Sequence, residues 1–380
     1  MGAGPALLRK LARGRERALK GGRQIGNMVF NPKYARSYWP EEQRKSKARV
    51  FAELMWWLMR YGEINNYYYV YGLDRKQVRR DDFLPYSVFR RIRNKRNLRT
   101  GGAPYNYVCV LRDKFLFAQL LTSLGIPTPR AYALLDRDSV TWLGRDATEK
   151  LEGLTTASPT DIDGFCKRLD GIQGEGAFPL AINQGKLTVD GQALSVDGLR
   201  AMLGTSRYLL QERIQQHSQI SALNASSVNT VRLITFCDQG KARLFSAAMR
   251  IGTAGKHVDN WAAGGLIVSI DPDKGALRGE GFFKPGYGGR TAIHPNSGIP
   301  FEGFRIPHFE QAVRLVTRLH EYLYGIHSVG WDVAITPAGP TIIEGNDDWE
   351  GGIPMVLEQN FRKRFLSMYS ETSKRPLRTS

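Results

Sequence analysis

Two short stretches of this 380-residue chain hold residues whose types and spacing could do chemistry. The first is Gly330-Trp331-Asp332-Val333-Ala334-Ile335, followed by Thr341-Ile342-Ile343-Glu344-Gly345-Asn346. The turn residues Thr336 to Pro340 between them predict a hairpin. Asp332 then sits on one strand and Glu344 and Asn346 on its neighbour, and alternation places the last two on one face. Two acids and an amide, with no His or Cys beside them, suit Mg²⁺, which prefers oxygen ligands and shares its shell with phosphates. The second stretch runs from Phe165 to Gly176. It sets Lys167 on a strand ahead of Gly171, Gln173, Gly174 and Gly176. Glycines let backbone N–H groups approach phosphate oxygens, and a lysine adds a point charge. The loop lacks the GK[ST] ending of a Walker loop, and no helix follows it as in a dinucleotide fingerprint. Taken singly, each stretch also reads as ordinary structure: a polar strand end, or a tight turn.

The elements needed to position these residues alternate beyond a breaker cluster at Thr100-Gly101-Gly102-Ala103-Pro104. Tyr107 to Leu111 reads as a short strand. Asp113 to Leu124 reads as a helix with an N-terminal Asp, stopped by Gly125 and Pro127. Gly164 to Leu169, Arg207 to Ile214 and Leu266 to Ile270 read as strands. Val228 to Cys237 pairs with Lys241 to Ile251 around Asp238-Gln239-Gly240. Phe309 to Tyr324 is a helix. The fold class expected is α+β with substantial antiparallel sheet. The divisions expected are residues 1–100, 101–205, 206–358 and a basic tail at 359–380.

The order of these segments resembles the ATP-grasp superfamily. Asp113-Lys114-Phe115 with Gly125-Ile126-Pro127-Thr128-Pro129 is similar to its opening helix, and Lys167 with its glycines to its nucleotide lid. Leu209-Leu210-Gln211-Glu212-Arg213-Ile214 is similar to the strand whose backbone holds adenine. Asp332, Glu344 and Asn346 match the metal-binding D…E-x-N. Ser227-Val228-Asn229-Thr230-Val231-Arg232, Arg250, Asp259-Asn260 and Gly264-Gly265 resemble the sugar-transfer-associated, α-L-glutamate-ligase-like branch most. The resemblance implies two α+β subdomains sandwiching ATP, behind a basic, mainly helical N-terminal region. It implies an ATP-dependent ligase that joins a small-molecule carboxylate to an amine through an acylphosphate, in cell-surface polysaccharide or secondary-metabolite assembly. A phosphotransferase acting on a hydroxyl and a non-catalytic nucleotide-binding adaptor are the rival readings.

By position the resemblance gives Lys114 and Lys167 to the phosphates, covered by Gly171, Gln173, Gly174 and Gly176. Gln211, Glu212 and Ile214 would line the adenine strand, and His217 would stand where a ribose-binding acid is usual. Asp332, Glu344 and Asn346 would hold magnesium, with two ions implied. Arg250, then Arg232, would stabilise the transferring phosphoryl group, and Asn260 would shape the acceptor pocket. Arg232 in a strand also reads as the ion-pair partner of a neighbouring strand's acid. His217, and Arg168 in place of the usual proline, depart from the family pattern.

Composition bounds the rest. Hydrophobic residues are 42% and charged residues 24%, enough for a packed core. Residues 1–100 hold 24 basic and 8 acidic residues, or +16 of the chain's +18. This basic quarter invites an anionic sugar or lipid-linked substrate, peripheral contact with an anionic membrane, or nucleic acid, ranked last because no nucleic-acid-binding pattern is present. Cys109, Cys166 and Cys237 lie far apart, which argues against a disulfide scaffold. No apolar run reaches membrane length, and the first twenty residues lack a long apolar core. A cytoplasmic protein is expected.

Overall fold

The structure, a computed structural model, describes residues 21–370 apart from 33, 99–106, 146, 157, 159–160, 172–173, 254, 256–258 and 324. The expected break at 100–104 and the first twenty residues lie outside that set. In the N-terminal part, residues 21–30 are helical (α1), followed by α2 (Lys47–Tyr61) and α3 (Tyr86–Asn97). Ser46 caps α2 by accepting from the Arg49 amide, and Gly62 ends it in the left-handed region at φ 71. Val50, Leu54 and Trp57 are its buried face, at helical spacing.

Helices α4 (Val108–Arg112) and α5 (Lys114–Ser123) lead into a first sheet. Its strands are β1 (Ala131–Leu135), β2 (Ser139–Trp142), β3 (Ala147–Lys150), β4 (Ile162–Arg168), β5 (Phe178–Asn183), β6 (Lys186–Val189), β7 (Gln192–Ala193) and β8 (Tyr208–Glu212), in the order β3-β2-β1-β8-β4-β5-β6-β7. Helices α6 (Gly153–Thr156) and α7 (Val196–Leu203) lie between these strands in the chain, and α8 (Ser218–Leu223) follows them. The second sheet comprises β9 (Thr230–Asp238), β10 (Lys241–Ile251), β11 (Leu266–Asp271), β12 (Ala276–Phe283), β13 (Arg290–Thr291), β14 (Ser328–Thr336) and β15 (Gly339–Asn346), in the order β13-β12-β11-β10-β9-β14-β15. Helix α9 (Phe309–Tyr322) precedes β14, and α10 (Gly352–Leu357) and α11 (Phe361–Ser370) close the described chain. The strand pairings are antiparallel, as the α+β expectation requires.

Three segments differ from the sequence reading. Residues 107–111 are helical, because Val108 and Leu111 are both buried at i, i+3 and Asp113 ends α4 and caps α5. Strand β8, read as opening the C-terminal part, is central to the first sheet, between β1 and β4. Residues 361–370, read as part of a basic tail, form α11, since Phe361, Phe365 and Tyr369 recur every four residues among the basic ones and are buried. Among the described residues no helix is long and apolar enough to cross a membrane.

The second sheet is covered on both faces. One face packs α9 and α5 through Val231, Leu233, Met249, Trp331 and Val333. The other receives the N-terminal part and α11, with Ile234, Phe236, Ile267 and Trp349 meeting Ile25, Leu54, Phe89 and Phe365 in one core. Asn97, fully buried at the end of α3, fastens this arrangement. Its amide donates to the Ser328 and Asp347 carbonyls at 2.8 and 2.9 Å. Its carbonyl accepts from the Ser328 and His327 amides at 2.9 and 3.2 Å. Asn97→Ala leaves these backbone groups buried without a partner and should cost roughly 3 kcal/mol or more, read from the midpoint of urea unfolding.

Two buried histidines add a pH dependence. Thr235 Oγ1 takes the Trp331 indole hydrogen at 2.7 Å and meets His320 Nδ1 at 2.7 Å, which leaves His320 Nε2–H to donate to the Ile326 carbonyl. Burial holds His320 down to about 4 and His327, packed against Phe236 and Tyr369, down to about 3. The unfolded chain therefore takes up protons below about pH 6.5 that the folded one refuses. Stability should be full above that pH and fall toward pH 4 by up to about 1.4 kcal/mol per unit for each histidine. His327→Phe should flatten the slope in a pH series of urea midpoints.

Candidate functional site

A cleft of about 490 Å³ opens between the two sheets. Asp113 caps α5 by accepting from the Phe115 and Leu116 amides, both at 2.9 Å, which places Lys114 in the first turn, facing the cleft. Lys114 Nζ donates to the Gly171 carbonyl, tying α5 to the glycine-rich loop. Lys167 reaches the same cleft from near the end of β4. Gly174 and Gly176 both have left-handed backbones, at φ +77 and +69, which a residue with a Cβ rarely adopts. Gly171 and Gly174 line the cleft. Gly176 does not, and Gln173 lies outside the described residues.

The inner wall is β8 and the segment after it. Gln211, Glu212 and Ile214 all line the cleft. Gln211 is buried and its side chain donates to the Pro129 carbonyl at 3.3 Å. His217 does not line the cleft: its ring caps α8 by accepting from the Gln219 amide at 3.2 Å, and its own amide donates to the Ile335 carbonyl at 2.8 Å. A ribose contact by His217 therefore finds no support in the geometry.

The opposite wall is the second sheet. Asp332 on β14 pairs with Glu344 on β15, while Val333 pairs with Ile342, so a bulge falls beside the two acids. Asn346 stands on the same face as Glu344, its amide 3.4 Å from the Glu344 carboxylate. Between them Gly345 backs onto Trp331: a Cβ there would come within 2.8 Å of the indole ring. Asp332 is itself paired twice. Arg232 grips both oxygens, at 2.5 and 3.0 Å, and Arg250 donates to Oδ2 at 2.9 Å. Arg250 also donates to Asp259 at 2.5 Å, and Asp259 accepts from the Thr230 amide at 2.9 Å. Arg232 thus makes the neighbouring-strand ion pair foreseen for it, while also facing the cleft. Asn260, which caps the turn Trp261–Ala263, lines the cleft as well.

Electrostatics divides the two acids. Burial works against the Asp332 carboxylate, but Arg232 and Arg250 outweigh it and hold its pKa well below the usual range. Glu344 goes the other way, raised first by burial and then by Asp332 beside it. Burial lowers both lysines, Lys167 and Lys114, against the pull of Glu344. Arg250 keeps one donor, Nε, buried without a partner among the described residues. A crowded carboxylate pair with an asparagine amide beside it is a set that Mg²⁺ fits once the amide turns its oxygen inward, and the spare guanidinium donor and two lysines fit phosphate oxygens. Among the described residues there is no group of three His, Cys, Asp or Glu poised for a metal.

Comparison with known families identifies the fold. The profile of the sugar-transfer associated ATP-grasp family matches residues 93–368. The chain belongs to that family. The fold is therefore the ATP-grasp fold expected. Among solved structures, it is similar to an L-amino acid ligase from Bacillus licheniformis (11% identity, TM-score 0.38, 66% of this chain and 44% of that one). It is also similar to a D-alanine–D-alanine ligase from Helicobacter pylori (12%, 0.39, 70% and 60%). A third is an N5-carboxyaminoimidazole ribonucleotide synthetase from Thermotoga maritima (11%, 0.37, 69% and 50%). The matched part is about half the length of those chains. No curated protein matches.

The cleft also draws on residues that motif reading passed over. Tyr67 and Tyr86 from the N-terminal part, and Trp261, Lys284 and Glu350, line its far end. The sequence signal was the tyrosine cluster at 67–71, whose spacing fits no catalytic motif. Removing Asp332 strands the buried Arg232 guanidinium and leaves Arg250 with Asp259 alone, so Asp332→Ala should destabilise the fold by about 3–5 kcal/mol. A urea midpoint within about 0.5 kcal/mol of wild type would contradict the pairing.

Proposed function

We propose that the protein is an ATP-dependent carboxylate–amine ligase that forms an amide through an acylphosphate. The observation that carries this reading is the convergence of Lys114, Lys167, Arg250 and the Asp332/Glu344/Asn346 set on one cleft between two sheets. The family supplies the expectation that ATP is the phosphoryl donor. Lys114 and Lys167 hold the phosphates beneath Gly171 and Gly174, and the adenine lies along Gln211, Glu212 and Ile214. Asp332, Glu344 and Asn346 hold magnesium, two ions on the family pattern, which would screen the phosphate charge and polarise the transferred group.

The substrate carboxylate oxygen attacks the γ-phosphorus and ADP leaves with the electrons of the broken P–O bond. Arg250 has its spare Nε–H where charge builds on the transferred group, and Arg232 holds Asp332 in place. The amine nitrogen then attacks the acyl carbon, inorganic phosphate leaves, and the amine proton passes to solvent. Asn260 and the aromatic far end of the cleft shape the acceptor space. A role in cell-surface polysaccharide or secondary-metabolite assembly, in the cytoplasm, is the context this chemistry suits.

The test is hydroxylamine trapping. With ATP, Mg²⁺ and a carboxylate panel, the protein should release ADP and yield a hydroxamate. Glu344→Gln should lower the rate at least about a hundredfold, since even partners of metal ligands are worth about 10–100-fold. ADP release with a phosphoester and no hydroxamate would replace this reading with hydroxyl phosphorylation.

A further inference from the structure

The far end of the cleft carries two charges of opposite sign on one aromatic wall. Lys284 and Glu350 both line the cleft and are both half-buried, and neither makes an ion pair with a described residue. Glu350 is held in place without being neutralised: Oε1 accepts from the Gly352 amide at 2.8 Å and Oε2 from the Tyr86 hydroxyl at 3.3 Å. Asp348, the other acid at this end, is already paired with Arg93. The Glu350 charge is felt by both tyrosines beside it. After burial, it is the next cause that pushes up the Tyr67 and Tyr86 hydroxyls.

Two rings lie between the charges. Tyr67 stacks on Trp261 with centroids 5.7 Å apart and planes 10° apart. Trp261 is buried and its indole N–H donates to the Phe282 carbonyl at 3.0 Å, so it backs the half-buried Tyr67 ring that faces the cleft. The Lys284 ammonium lies 6.0 Å from the Trp261 ring centroid. The contacts therefore run from ammonium to indole to phenol ring to carboxylate, and no ion pair joins Lys284 to Glu350 directly. This wall abuts the phosphate-handling residues at both ends of the chain that forms it. Trp261 follows by two positions Asp259, which holds Arg250 at 2.5 Å, and Glu350 follows Asn346 by four.

We propose that this wall is the acceptor subsite and that the acceptor is a zwitterion, an amine carrying its own carboxylate and an apolar group. Glu350 takes the ammonium, Lys284 the carboxylate, and the Tyr67 ring the apolar part. Opposite charges kept apart by stacked rings do not cancel each other, and a ligand with the complementary pair answers both. An amine alone or an acid alone answers one charge and leaves the other desolvated, so selectivity comes from the pair. Held at the far end by Lys284, this carboxylate is a recognition group and not the one that receives phosphate. The N-terminal part thus supplies, through Tyr67 and Tyr86, half of the surface that chooses the amine. This inference rests on the ligase reading and names the class of amine that reading leaves open.

The test is calorimetric titration of the full chain, with and without MgADP, using L-phenylalanine, phenethylamine and hydrocinnamate as probes. The second lacks the carboxylate of the first, and the third lacks its amine. Phenylalanine should bind, and each single-charge analogue should bind at least about tenfold more weakly. Lys284→Met should bring phenylalanine down to the affinity of phenethylamine and leave phenethylamine unchanged. Glu350→Gln should bring it down to the affinity of hydrocinnamate and leave hydrocinnamate unchanged. MgADP affinity should stay the same in both variants, which reports that each is folded, and either folded variant decides by itself. Failure of wild type to bind phenylalanine, equal binding of either analogue, or losses that do not follow this crossed pattern would overturn the proposal. Absence of MgADP binding by wild type would instead strike the ligase reading, because the probe titrations stand without nucleotide.

Discussion

Two carboxylates facing each other across adjacent strands, Asp332 buried and Glu344 half-buried in the cleft wall, are the constraint around which the second sheet is built. Asp332 and Glu344 cannot both carry full charge there unless cations gather round. The chain supplies Arg232 and Arg250 to Asp332 and turns Lys167 toward Glu344. Asp259, fixed by the Thr230 amide, then restrains Arg250. Asp259 apart, each charge is placed by a strand, so the geometry is mainly that of the sheet itself. A divalent cation entering beside Glu344 would meet positive charge already in place, and Arg250 would be free to turn its unmet donor toward a phosphoryl oxygen.

The N-terminal quarter is bound to the same strands. Asn97 holds the backbone entering β14 and the backbone leaving β15. Arg93 donates to the Trp349 carbonyl and the Asp348 carboxylate, and Arg112 grips Asp347 with two hydrogen bonds at 2.9 and 2.7 Å. These residues anchor the segment that follows Asn346, so α3 and α4 help fix the strand end that carries Glu344 and Asn346. Arg93, one of the basic residues read as a surface for an anionic partner, is spent on this internal task.

What was legible in the sequence follows from how local each signal is. The hairpin bearing Asp332, Glu344 and Asn346 declares itself through alternation and a turn, and the cap of α5 through Asp113. The strand reading of 107–111 failed because Val108, Val110 and Cys109 carry β-propensity, whereas burial of Val108 with Leu111 is a tertiary matter. The tail from 359 looked basic because its apolar residues are spaced by four, and their partners lie more than a hundred residues away on β9 and β10. His217 stood at the right place in the order of motifs, yet it is the N-cap of α8, five residues beyond the end of β8, and the cap claims its ring. Tyr67 and Tyr86 were invisible as site residues, since only the closure of the N-terminal part onto the second sheet brings them to the cleft.

That closure has a consequence for biosynthesis. The Tyr38 hydroxyl bonds the carbonyl of Phe283, 245 positions later, and Arg362 bonds the carbonyl of Asp81, 281 positions earlier. The aromatic residues of the first quarter are therefore made long before the sheet that shelters them. At typical ribosomal speeds they wait on the order of 15–60 s for β14, β15 and α11. Through that interval a strongly basic, tyrosine-rich segment is exposed, and its high charge is what keeps it from associating with copies of itself until the last strands emerge.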